Sequence, residues 1–293
     1  TGAYNSDFSF AFVGDPQIGA GTTETDIEGW NTTLDTIQND MGVDFLFSAG
    51  DQVNTANDEE EYAGYLNDAF SSLASATTIG NHDSRSTAYN EHFNLPNEST
   101  EYGATEAGTD YWFVYNNTLF MDINSNDMST AEHKAFMEEA IAANPDVTWK
   151  TVIFHHSVYS TASHTDDSDI LQRREELPPV FDELGIDVVL MGHDHVYTRT
   201  YMMDRVTPDT SNGVQSKVTD PEGVLYLTAN SASGSKYYDI KAPEAPFAAK
   251  MDQSYRRTVT EVEVTDTSYT MTTYYADDMT VLDKFTINKT PAV

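Results

Sequence analysis

The chain has 293 residues, 39% of them hydrophobic and 12% aromatic, which is enough to bury a sizeable core and excludes an intrinsically disordered chain. Its formal net charge is −33, from 48 acidic against 15 basic residues, and such a surface repels polyanions, so nucleic acid is not an expected partner. Cysteine is absent, which excludes disulfides, zinc ribbons and iron–sulfur centres, and no stretch approaches the roughly 20 apolar residues of a transmembrane segment.

Residues 8–13 read as a strand running straight into Gly14-Asp15. No basic, apolar leader precedes it. The expectation is a mature chain without its signal peptide, trimmed from a larger secreted precursor. The Thr-, Asn- and Asp-rich, Lys-poor composition suits the exterior or cell surface of a bacterium. Ile27, Trp30, Leu34, Ile37 and Met41 recur at helical spacing and predict a helix over 26–40. Residues 43–49 are nearly all apolar, as in a parallel strand buried on both faces, and end in Gly50-Asp51. A second helix is predicted over 58–73 and a third strand over 76–79, ending in Gly80-Asn81-His82-Asp83.

Residues 84–110 are polar and broken by Pro96, Gly103 and Gly108, as in an active-site loop. Strands at 111–115 and 119–123 flank a hairpin turn, and a helix over 130–143 has Ser129 and Thr130 as candidate caps. Strand 149–154 ends at His155-His156. Helix 170–184 contains Pro178-Pro179, which should bend or restart it. Strand 187–191 ends in Gly192-His193-Asp194-His195, and 224–227, 257–264, 268–275 and 281–287 read as antiparallel strands. Two β-α-β-α-β runs followed by hairpins, without a linker, predict one domain over 1–293. Its class is α/β: a four-layer α/β/β/α sandwich of two mixed sheets flanked by helices.

Five strand-like runs thus end in Asp, Asn or His. Side chains at the carboxyl ends of such strands converge in one crevice. Carboxylate, amide oxygen and imidazole suit Mn, Fe or Zn. Some seven ligands are too many for one tetrahedral ion and fit two ions sharing a carboxylate, the arrangement that drives in-line displacement at phosphorus.

Gly14-Asp15-Pro16-Gln17, Gly50-Asp51, Gly80-Asn81-His82-Asp83, His155 and Gly192-His193-Asp194-His195 resemble the five blocks of the calcineurin-like metallophosphoesterases. His155-x-x-x-Tyr159, His164 and the run from Gly192 to Arg199 are most similar to the purple acid phosphatase-like branch. The resemblance implies that Asp15 and His195 hold one metal, Asp51 bridges, and Asn81, His155 and His193 hold the second. Gln17 stands where many members have His and is read as a ligand through its amide oxygen, or as a donor behind one. Asn54 replaces the Tyr whose tyrosinate binds Fe³⁺ and gives the colour, so a colourless protein is expected. His155 is preferred over His156, because adjacent strand residues point to opposite faces.

The implied reaction is hydrolysis of a small phosphate ester by metal-activated water, most of all a monoester. His82 serves as general acid with Asp83 as a partner that keeps it protonated, and His164 binds substrate. Arg85 is a further phosphate-binding candidate, whereas Arg199 is expected to support the Gly-His-Asp-His loop. His92 and His133 fit no block and read as surface residues. The alternatives are a phosphodiesterase or nucleotide pyrophosphatase of the same superfamily, and a non-catalytic, metal-stabilised surface binding module. Oligomeric state is not legible.

Overall fold

The computed structural model describes residues 7–291; the outermost ends of the expected 1–293 domain lie outside them. Two seven-stranded mixed sheets pack face to face. In the first, Phe8–Val13, Phe45–Ser48 and Ser75–Thr77 run parallel at one edge, and Thr258–Val264, Ser268–Tyr275, Val281–Asn288 and Lys217–Thr219 complete the order outward from Phe8–Val13. In the second, Thr118–Asp122, Trp149–His156, Val188–Gly192 and Leu225–Thr228 run parallel between Tyr111–Tyr115 on one side and Tyr197–Thr200 and Ala248–Asp252 on the other.

Three cores explain the layers. Between the sheets, Phe10, Phe12, Phe45 and Phe47 meet Phe120, Ile153, Leu190 and Leu227. Trp30 and Leu34 of helix Thr23–Thr36 and Tyr65 of helix Glu59–Tyr65 cover the outer face of the first sheet. Phe136 and Met137 of helix Thr130–Ala143, with Leu177 and Phe181 of helix Ser168–Glu183, cover the second. This is the expected four-layer α/β/β/α sandwich. Among the described residues, no helix is long and apolar enough to cross a membrane.

Several elements differ from expectation. The helix predicted over 58–73 stops at Tyr65, because Asn67 caps a separate turn by accepting from the Ala69 and Phe70 amides. Helix Ser168–Glu183 is continuous through Pro178 and Pro179; burial of Leu177, Pro178 and Phe181 on both sides of the lost hydrogen bonds holds it together. Leu225–Thr228 pairs parallel with Val188–Gly192 and antiparallel only with Tyr197–Thr200. The polar stretch 84–110 contains a short helix, Ala88–His92.

Candidate metal centre

The parallel strands of both sheets end at one rim, and the chain turns sharply there. Asp15, Gln17, Asp51, His193 and His195 all have positive φ, between 35° and 73°. A side chain in that region costs about 1–3 kcal/mol, and such strain collects at functional sites. Two glycines permit the approach. A Cβ on Gly80 would fall 2.1 Å from the Asp51 amide nitrogen, and one on Gly192 would fall 2.6 Å from Asp15 Oδ2.

Asn81 Oδ1 lies 3.0 Å from both His155 Nε2 and His193 Nδ1, which are 3.2 Å from each other. Asp51 Oδ2 is 3.3 Å from His155 Nε2. On the other side, Asp15 Oδ1 is 3.6 Å from His195 Nε2 and 3.8 Å from His155 Nδ1. Asp15, Asp51 and His155 offer ligand atoms all within 4.8 Å of one another. Asp51 thus borders both groups of donors.

The donor set fits metal ions. His155 Nδ1 donates to the Ala49 carbonyl and His195 Nδ1 to the Lys236 carbonyl, so Nε2 is the atom each ring turns toward the carboxylates and, once neutral, can offer to a metal. Burial pushes the His193 imidazole far down, with neighbouring histidines adding to it, and burial takes His195 down to about 4; neutral rings are what coordination needs. Burial also opposes charge on His155, but Asp51 and Asp15 outweigh it and raise the ring to about 9. Burial, then repulsion from Asp51, holds Asp15 well above the usual carboxylate range, against the pull of His155. Gln17 Oε1 is buried without a hydrogen-bond partner. Such an orphaned acceptor is costly unless a ligand meets it.

His82 and His164 also belong to this rim. The His82 amide donates to Asp51 Oδ1 and its Nδ1 to the Asn54 carbonyl, at 2.8 and 2.7 Å. The His164 ring stacks on His193 with centroids 4.2 Å apart, and its Nδ1 donates to Asp167 at 2.6 Å. His156 turns from the donor cluster to Ser125 Oγ, at 2.8 Å, while its ring packs on His193.

Other expectations fail. Asp83 is not the partner of the His82 ring. It is fully buried and accepts from the Gly80 and Gln52 amides and from Gln52 Nε2, so it braces the loop behind Asp51. Arg199 does not support the Gly-His-Asp-His loop; it pairs with Asp283 of the opposite sheet at 2.6 Å. His133 is buried against Asp110 at 2.7 Å, because its helix faces the sheet edge. His92 is half-buried, with its ring 4.2 Å from that of Tyr62.

The family model for calcineurin-like phosphoesterases matches residues 8–197. The chain belongs to this family. All the candidate ligands lie within the matched segment. Among curated members, the chain is 24% identical over 144 residues to Fe(3+)-Zn(2+) purple acid phosphatase 12 of Arabidopsis thaliana, covering 48% of this chain and 30% of that protein. It is 22% identical over 178 residues to an uncharacterized protein of Mycobacterium tuberculosis, covering 54% and 34%. The chain thus spans about a third of the length of these relatives. A purple acid phosphatase from yellow lupin (Lupinus luteus) seeds shares the fold, with a TM-score of 0.75 at 14% identity, over 98% of this chain and 54% of that one.

This calcineurin-like phosphoesterase closes its rim with residues whose role the sequence did not disclose. Ser231 Oγ donates to the Asp15 carbonyl and Ser233 Oγ to that of Pro16, pinning the first ligand turn. Gln253 Nε2 donates to the His195 carbonyl at 2.7 Å. Tyr238 lies beside His195 and His164, with ring centroids 5.0 and 5.4 Å away. The run 229–236 offered only the small polar composition of a loop.

Proposed function

We propose that the chain is a dinuclear metal-dependent phosphomonoesterase acting as one catalytic domain. The observation that carries this reading is the convergence of Asp15, Asp51, Asn81, His155, His193 and His195 at one rim, with the orphaned Gln17 Oε1 in the same turn as Asp15. Asp15, Gln17 and His195 would hold one ion, Asn81, His155 and His193 the second, with Asp51 shared. Bound there, two ions of the Mn, Fe or Zn class supply an activated water and neutralise phosphoryl charge.

The remaining groups handle protons and position. A carbonyl only accepts, so the bond to Asn54 fixes the His82 proton on Nδ1 and leaves Nε2 to carry the proton for the leaving oxygen. Asp167 likewise fixes His164, whose ring faces the site from His193. Asn54 also accepts from Gln17 Nε2, tying the acid and the first ligand turn to one residue.

Release of p-nitrophenol from p-nitrophenyl phosphate, with added Mn²⁺ and again after chelation, tests the reading. Metal-dependent turnover is expected, and its absence on both this ester and the bis-ester removes the hydrolase assignment. His82→Ala should lower kcat about 10²–10⁴-fold with metal content near two; loss of metal as well would refute the role given to His82. An extracellular or cell-surface location is part of the proposal, supported by the acidic composition, and activity confined to the cytosolic fraction of the source cells would overturn it.

A further inference from the structure

Lys236 is held at the rim by two independent contacts. Its carbonyl accepts from His195 Nδ1 at 2.8 Å. Its exposed side chain folds over the Tyr238 ring, with Nζ 4.9 Å from the centroid. The same ring packs between His195 and His164. The ammonium therefore faces the site histidines across the Tyr238 ring, near enough to His195 to oppose charge on that imidazole. Among the described residues no carboxylate pairs with it. A cation resting on an aromatic face is located without being neutralised.

The chain as a whole carries −33. An approaching phosphate ester is an anion and meets that field. A local, unneutralised cation at the mouth offsets it, and by an amount proportional to the ester's charge. A monoester above its second ionisation carries two negative charges, and a diester carries one.

We propose that Lys236, positioned by Tyr238, is a specificity-determining residue that favours dianionic phosphomonoesters over monoanionic diesters. This rests on the phosphoesterase reading above. Coulomb energy is linear in charge, so the fold-effect on a diester is about the square root of that on a monoester. Substitution of the side chain leaves the backbone bond to His195 available.

The test compares native protein with Lys236→Gln and Lys236→Arg on p-nitrophenyl phosphate and bis-p-nitrophenyl phosphate, which share a leaving group. Lys236→Gln should lower kcat/KM about tenfold for the monoester, through KM, and about threefold for the diester. The gap should close at high salt, and Lys236→Arg should restore native ratios. Equal falls on both esters, or no fall, overturn the proposal. A second arm is independent of turnover: calorimetric binding of inorganic phosphate dianion and of dimethyl phosphate to the Mn²⁺-loaded protein. The dianion should lose about tenfold and the monoanion about threefold in Lys236→Gln; equal losses or unchanged affinities overturn the assignment even if the protein hydrolyses neither ester.

Discussion

Gln17 donates through Nε2 to Asn54 Oδ1 at 3.2 Å, which turns its Oε1 into a buried site with no hydrogen-bond partner. These are the two positions at which the chain departs from the motifs it resembles, and here they orient each other. Gln17→Leu should weaken metal binding about tenfold or more at one of two sites. Metal content after dialysis against a graded chelator series measures it. Two equally retained ions in the variant would reduce Gln17 to a structural partner of Asn54.

Metal removal should destabilise the protein. Asp15, Asp51 and Asp83 are all buried, and Asp51 raises the cost of charge on the other two. Ions at 100 times their dissociation constant stabilise a fold by about 2.7 kcal/mol. Chelation should therefore lower Tm by roughly 5–10 °C, reversibly on adding Mn²⁺. A Tm indifferent to chelator and to Mn²⁺ would contradict the site.

Gly80→Ala tests the close approach that forms the centre. The new Cβ would lie 2.0 Å from Asp51 Oδ1 and 2.1 Å from its amide nitrogen, so the backbone carrying Asp51 must move. Stability should fall by about 2–3 kcal/mol in urea unfolding, with metal content dropping toward one or none. Unchanged stability and metal content would mean that the loop yields without cost.

The His133–Asp110 pair predicts a pH-dependent share of stability outside the set of candidate ligands. Burial works against charge on His133, but the Asp110 carboxylate at 2.7 Å prevails and raises the ring above its ordinary value of 6.5. A raised folded-state pKa contributes stability that is complete below the unfolded value and lost as pH rises through the folded one. His133→Leu, which strands Asp110, should cost about 3 kcal/mol at pH 6. The gap between native protein and variant should narrow toward pH 9. Urea midpoints at the two pH values measure both, and a gap that widens with pH would reverse the assignment.

Sequence alone determined the layered fold and the residue types that end its strands. The alternation of apolar runs with helical periodicity, and the Gly-Asp, Asn-His and His-x-His endings, are local signals, legible because strand ends and turn residues are chosen by backbone chemistry within a few positions. Tertiary structure alone decided which side chains meet. Asp83 and His82 are neighbours in the chain, yet one braces Gln52 and Gly80 while the other faces Asn54 and Asp51. His133, on a helix with no motif, is buried by a carboxylate 23 residues away. Lys236 and Tyr238 reach the rim from a loop that local composition leaves blank. Contacts of this kind depend on sheet packing and loop closure over long sequence separations, and neither is written into short-range periodicity or residue type.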